Sequence, residues 1–254
     1  MASSPSRLQD ALAAKTQVWG GWVVGPTVIG PEEFAAAGYD YIGIDVQHGY
    51  LSDADAALML RRLEHVPIAT VVRLPNAEPA PIGRVLDAGA DGVVIAMVES
   101  ASEAAEAVAA TRYAPGGVRS FGPLRASLGI DPLALQARVS VFAMIETMRG
   151  HAALDEICGV EGLTGIYVGP ADLAISMGHA PAEAWTREDV LDVILHIQRR
   201  AAEAGLVAGI HASTGRTGNT MAQNGFRMVT LASESQALRR GAAAHLSDAV
   251  GETS

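Results

Sequence analysis

Cysteine, lysine and any excess of positive charge are what this 254-residue chain lacks. Cys158 is the only cysteine, which excludes an internal disulfide and a zinc site built from clustered thiolates. Within "LDEICGV" it reads as a small apolar helix residue rather than a nucleophile. Acidic residues outnumber basic ones, for a formal net charge of -10, and the arginines are scattered. A protein that displaces counterions from phosphates needs clustered Lys and Arg, so nucleic acid is not an expected partner. No apolar run approaches the roughly 20 residues of a membrane span, and "MASSPSRLQDALAAK" has no apolar centre of the secretory-signal kind. The expectation is a cytoplasmic protein that does not engage a membrane. Lys15 is the only lysine and stands near the chain's start.

What the chain has is material for a core, with 49% hydrophobic and 18% charged residues. Short β-branched runs alternate from end to end with Ala-rich amphipathic segments, the signature of βα units and a parallel sheet. Eight strand candidates can be counted: "VWGGWVV", "YIGIDV", "IATVVRL", "GVVIAMV", "VFAMIE", "GIYVG", "LVAGIHA" and "RMVTLA". Eight units predict an α/β fold, a single (β/α)8 TIM barrel taken as one domain over residues 1–254. Several helical segments end at glycine just before a strand, as in "FAAAGYDY", "VLDAGADG", "AAEAGLVA" and "MAQNGFRM", where glycine accepts the left-handed conformation. One long irregular segment, residues 113–138, carries Arg119 and Arg125 among glycines and prolines, and loops of that length are often functional.

A barrel of this kind does its chemistry at the C-terminal ends of its strands. Those ends carry Asp45, Gln47 and His48 after the second strand, Arg73 in the third, Glu146 after the fifth and Asp172 after the sixth. Glu146 and Asp172 offer hard oxygen ligands, with room for waters, to a divalent ion of the magnesium or manganese type. The alternatives are a solvated turn acid for Glu146 and a helix N-cap for Asp172. Arg73 is placed to stabilise an anion, or else to make a structural ion pair. His48 is a candidate general base if Asp45 fixes its tautomer, or else a hydrogen-bonded turn residue. An imine-forming lysine must reach the barrel mouth, and Lys15 precedes the first strand, so a Schiff-base mechanism is not expected. A metal ion would have to serve as the electron sink. "HASTGRTGN" after the seventh strand, with Ser213 and Thr214, is either an anion cradle or a capped turn. Trp22 is placed to wall the pocket or to pack. His65, His151, His179, His196 and His245 fall on helices or helix ends and receive no role.

Taken together, "YDYIGIDVQHG", "VVRLPNAEPAPIGRVLDAGADGVVIAMVES", "ATRYAPGGVRSFGP", "MIET" and "LTGIYVGPADLAISMG" resemble the class II metal-dependent 2-oxo-acid (pyruvate) aldolases. This is the HpcH/HpaI aldolase family of 4-hydroxy-2-oxoheptanedioate aldolase and 2-dehydro-3-deoxyglucarate aldolase. The resemblance implies reversible retro-aldol cleavage of a 4-hydroxy-2-oxo acid to pyruvate or hydroxypyruvate and an aldehyde, through a metal-stabilised enolate. By it, Glu146 and Asp172 hold Mg2+, Mn2+ or Co2+, and Arg73 binds the keto oxygen. His48, paired with Asp45, shuttles the proton, and Gly169, Pro170, Ala171 and Asp172 surround the substrate carboxylate. It also implies a homohexamer with a C-terminal helix exchanged between subunits, for which "ESQALRRGAAAHLSDAV" is the candidate. Two departures stand out: Met144 where many relatives have glutamine, which bears on substrate choice, and Ala96 where proline is frequent. Recognition of the aldehyde is expected from the loop with Arg119 and Arg125 and from a neighbouring subunit. The rival readings are an oxaloacetate decarboxylase or a coenzyme A ester lyase sharing the enolate site, and, from another class, a non-catalytic barrel.

Overall fold

The computed structural model describes residues 6–251; residues 1–5, where the segment read for a secretory signal begins, and residues 252–254 lie outside it. The strands are β1 (Val18–Val23), β2 (Tyr41–Asp45), β3 (Ala69–Leu74), β4 (Gly92–Ile95), β5 (Ser140–Ile145), β6 (Gly165–Val168), β7 (Val207–His211) and β8 (Met228–Ser233). Each pairs parallel with the next, and β8 returns to β1, so the sheet closes into the expected (β/α)8 barrel. The apolar run that begins β4 continues to Val98 in the sequence, yet the strand stops at Ile95. Met97 takes a left-handed backbone with φ 56°, which cannot extend a strand.

Strand pleat assigns every residue to one of two cores, because successive side chains point to opposite faces. One parity fills the barrel interior: Val18 and Trp22, Tyr41, Ala69 and Val71, Val94 and Ala96, Phe142 and Met144, Tyr167, Val207 and Met228 form a single inner cluster. The other parity, including Ile42, Ile44, Val72, Val93, Ala143, Ile166, Ala208 and Val229, packs outward under the helices. Large rings inside demand small neighbours. A Cβ added at Gly43 would lie 2.1 Å from the Trp22 ring, and one at Gly20 equally close to the Tyr41 ring. Deep in the interior the Thr230 hydroxyl joins two phenols, 2.8 Å from the Tyr41 hydroxyl and 2.6 Å from that of Tyr167. The helix Arg7–Ala14 buries Leu8 and Leu12 against the same cluster. The interior is therefore packed rather than hollow.

The covering helices use 3.6-residue periodicity. Glu188–Glu203, for example, buries Val190, Ile194, Ile197 and Ala201 along one stripe. The helix-ending glycines behave as their context predicts: Gly38, Gly89, Gly205 and Gly225 all have positive φ. Lys15 follows the first helix and pairs with Asp40, just before β2 begins, so the one lysine side chain sits at the end of the barrel opposite the mouth. No helix among the described residues is long and apolar enough to cross a membrane.

The 113–138 segment requires a correction. It follows the helix Ala101–Thr111 and leads into β5, which puts it at the strand-start end of the barrel, away from the mouth of its own chain. Its arginines are committed there. Arg119 donates to Asp87 at 2.7 Å and lies over the Tyr113 ring, 4.8 Å from its centroid, while Arg125 donates to the Leu60 carbonyl. Within one chain, these two residues build the base of the barrel rather than an aldehyde site. The C-terminal helix Glu234–Val250 buries none of its residues and exposes Leu238, Leu246 and Val250. Its first turn is tied to the barrel by Glu234 Oε1, which accepts the backbone N–H groups of Val24 and Gly25.

Candidate active site

The inward parity that fills the barrel continues upward to the strand ends, where apolar residues give way to polar ones. Tyr41 and Gly43 lead to Asp45; Ala69 and Val71 to Arg73; Phe142 and Met144 to Glu146; Val207 and Gly209 to His211. One register thus delivers four chemically active side chains to one rim.

Asp45 and Arg73 stand side by side, paired across β2 and β3. Arg73 Nε donates to Asp45 Oδ1 at 3.0 Å and Nη2 donates to Oδ2, a bidentate clamp in which both residues are buried. Trp22 Nε1 adds a bond to Oδ2 at 3.1 Å, and the Arg73 guanidinium lies 5.4 Å from the Trp22 ring centroid. Burial alone would push the Asp45 carboxyl up; the Arg73 guanidinium, the indole N–H and the backbone N–H of His48 outweigh it and hold the group below its ordinary value. The clamp uses the Nε–Nη2 edge of Arg73 and leaves Nη1 for another acceptor.

The expected pairing of Asp45 with the His48 ring is corrected by this geometry. Asp45 Oδ1 accepts the backbone N–H groups of Gln47 at 3.0 Å and His48 at 3.1 Å, an Asx-type turn. The carboxylate orients Arg73 and the chain leaving β2, while His48 lines the cavity. Replacing Asp45 with Asn leaves a buried guanidinium without its counter-charge, at an expected cost of about 3 to 5 kcal/mol. Because the folded-state value is depressed, the Asp45 contribution is present above the ordinary value of 3.8 and fades as pH falls through the folded one. Urea unfolding should therefore separate wild type from D45N widely at pH 7 and progressively less in acid; a constant gap across that range would refute the clamp's role.

Glu146 is 1% exposed. Its Oε1 accepts the N–H of Met97 at 2.8 Å, presented by that residue's left-handed backbone, whereas Oε2 is buried with no partner among the described residues. Burial pushes this carboxyl up to about 7; the Met97 bond opposes the shift and the nearby Asp172 charge adds to it. Space for Oε2 depends on Gly169, where a Cβ would come within 2.5 Å of it. Asp172 is not a helix cap, since the helix Pro170–Ser176 is preceded by Gly169 and begins without a side-chain cap bond. Thr214, by contrast, caps the helix Gly215–Gln223 through the Thr217 N–H, so "HASTGRTGN" is a capped turn. Among the described residues, no group of three or more His, Cys, Asp and Glu side chains is gathered to hold a metal ion.

Above these residues lies a cavity of about 330 Å³, lined by Trp22, Asp45, His48, Arg73, Met144 and the stretch from Gly169 through Asp172. Glu146 lies just outside that lining, behind Gly169. On the far side the wall is His211, Ser213, Ser233 and Gln236. His211 escaped the sequence reading, although its signal was available: it ends an apolar run at the same parity as Asp45 and Arg73. Its ring meets Trp22 edge-on, with centroids 5.3 Å apart, and Trp22 in turn stacks on Tyr167.

Residues 20–241 match the family described as HpcH/HpaI aldolase/citrate lyase. The chain is 37% identical over 232 residues to a hydroxypyruvate/pyruvate aldolase of Rhizorhabdus wittichii, covering 90% of this chain and 92% of that one. It is 34% identical to a 5-keto-4-deoxy-D-glucarate aldolase of Escherichia coli over 82% of each chain. Among solved structures, an HpcH/HpaI aldolase/citrate lyase family protein from Burkholderia cenocepacia superposes with a TM-score of 0.87 at 28% identity, covering 95% of this chain and 98% of that one.

Proposed function

The chain belongs to the HpcH/HpaI aldolase/citrate lyase family, and from that premise we propose that the β2–β3–β5–β6 mouth is the site at which this aldolase cleaves a 4-hydroxy-2-oxo acid. The enzyme is a carbon–carbon lyase working reversibly, with pyruvate or hydroxypyruvate as one product and an aldehyde as the other. Enzymes of this family depend on a divalent metal ion, and the residues here fit one. The observation that carries the reading is the buried, unpartnered Glu146 Oε2 beside Asp172. When ionised, the site sets three carboxylates, Asp45, Glu146 and Asp172, against the single guanidinium of Arg73, a balance that would repel a 2-oxo acid anion. A divalent cation held by Glu146 and Asp172 would correct it, and two protein ligands suit an ion such as Mg2+, Mn2+ or Co2+ that keeps further positions open. Bound there, the ion would act as a Lewis acid toward the 2-oxo acid.

The chain's own groups do the rest. Breaking the carbon–carbon bond leaves an electron pair on the oxo-acid fragment, and the enolate oxygen that receives it needs fixed positive charge. Arg73, held by Asp45, offers its free Nη1 edge to that oxygen. His48 moves the proton between the hydroxyl of the cleaved substrate and the enolate carbon. The backbone from Gly169 through Asp172 surrounds the substrate carboxylate, and Trp22 closes the wall. Assembly through the exposed helix Glu234–Val250 belongs to the same reading, with a hexamer as the expected state.

The test is aldol turnover of pyruvate and of hydroxypyruvate with a panel of short aldehydes, set against loss of carbon dioxide from oxaloacetate alone. Decarboxylation without any aldol product would overturn the assignment. His48→Ala should bind Mn2+ as wild type does, yet exchange the methyl protons of pyruvate in deuterated water at least about tenfold more slowly. Wild-type exchange in that variant would take His48 out of the mechanism.

A further inference from the structure

His211 has no part in the chemistry just described, yet it occupies the rim. It is the inward-facing end of β7, one strand beyond the loop that carries Asp172, and its ring lines the cavity across from Arg73. Among the described residues no protein group hydrogen-bonds its ring nitrogens, and the Ser213 hydroxyl beside it is likewise without a protein partner. Two polar side chains thus face the cavity with unused donors and acceptors.

The backbone that presents them is built with care. Ala212 N–H donates to the Thr230 carbonyl and Thr214 N–H to that of Ala212, both at 2.8 Å. Between them Ser213 holds φ 63°. Only two non-glycine residues among those described take positive φ, and the other, Met97, uses it to present its N–H to Glu146. Such conformations cost about 1 to 3 kcal/mol and persist where the surroundings enforce them. Both border this mouth.

The chemistry of the imidazole narrows what it reads. Burial, aided by the Arg73 charge, pushes it down to about 4, so the ring is neutral at neutral pH. A neutral imidazole carries one donor and one acceptor and matches a hydroxyl, which also has both; it adds no positive charge for a second carboxylate. We propose that His211, with Ser213 beside it, is a specificity-determining residue that recognises a hydroxyl group alpha to a carbonyl of the substrate. The proposal rests on the aldolase reading of the site. The hydroxyl can come from either fragment, as that of hydroxypyruvate on the oxo-acid side or that of a 2-hydroxyaldehyde on the other.

The experiment measures kcat/KM for metal-supplied wild type and His211→Phe in four pairings, pyruvate or hydroxypyruvate with acetaldehyde or glycolaldehyde. Phenylalanine keeps a ring against Trp22 and removes both nitrogens. The expected result is a loss larger by on the order of tenfold, the scale of one hydrogen bond, in pairings that carry the relevant hydroxyl than in pyruvate with acetaldehyde. Pyruvate with acetaldehyde is the reference against which the other three pairings are read. Loss that follows hydroxypyruvate assigns the hydroxyl to the oxo acid; loss that follows glycolaldehyde assigns it to the aldehyde. His211→Asn, which restores a donor and an acceptor, should recover part of the preference, and His211→Leu is a second test if H211F is poorly folded by circular dichroism. A uniform loss over all four pairings, as a purely positional effect through Trp22 would give, overturns the proposal, as does no loss. Wild type inert in all four would overturn the aldolase reading itself and His211's role with it, whereas an active wild type with a uniform response overturns only the latter.

Discussion

Stripping the protein with a chelator should bring aldol turnover to background, and Mg2+, Mn2+ or Co2+ should restore it. The expected loss is at least about 10³-fold, because an ion that stabilises charge by several kcal/mol lowers the barrier by that much. The protein-level counterpart is Glu146→Gln. Glutamine preserves the size of the side chain and can still accept the Met97 N–H, so the change removes charge and little else. Titration with Mn2+ should then show at least about tenfold weaker binding, the scale on which metal sites respond to lost support, together with a matching loss of turnover. Full activity in the stripped wild-type enzyme, or unaltered Mn2+ affinity in E146Q, would refute the carboxylate pair as the metal site. The buried Oε2 makes the prediction sharp, since no group among the described residues satisfies that atom.

Arg73→Lys should lower kcat by about 10²- to 10³-fold, the range seen when one preorganised donor to a developing oxyanion is lost. Lysine keeps the positive charge, and the substitution therefore separates charge from geometry. The guanidinium uses one edge for Asp45 and presents the other to the cavity, which a single ammonium cannot do at once. The melting temperature should drop modestly, because an ammonium still neutralises Asp45. Wild-type kinetics in R73K would reassign Arg73 to the structural ion pair that its sequence context also allowed.

Much of this site could be read from the sequence because strand pleat is a strict code. Asp45, Arg73 and Glu146 each terminate an apolar run at the inward parity, and eight such runs predict the barrel on whose rim they meet. His211 obeys the same rule but was hidden by its chemistry: a histidine inside "VAGIHA" does not interrupt an apolar pattern as a carboxylate or guanidinium does. The pairing of Asp45 with His48 failed for a different reason. Three residues of separation suggested contact between side chains, whereas the turn directs two backbone N–H groups at Oδ1 and leaves the rest of the carboxylate to Arg73. The segment around Arg119 and Arg125 showed that length marks a loop without saying which end of the barrel it occupies. That follows from chain order, since a segment leading into a strand lies where strands begin. The environment of Glu146 was out of reach of sequence, because it depends on Met97 and Gly169, which come from two other strand ends.

Because Met144, Tyr167, Tyr41 and Leu8 fill the barrel below the rim, and Thr230 ties the two phenols together, nothing the size of an oxo acid can leave downward. A single doorway serves both fragments of a cleaved molecule. On the proposed reading, the fragment held deepest, by Arg73 and a cation on Glu146 and Asp172, would wait for the other to clear the exit. Departure would then be sequential, aldehyde before oxo acid, and in the synthetic direction arrival would run in reverse.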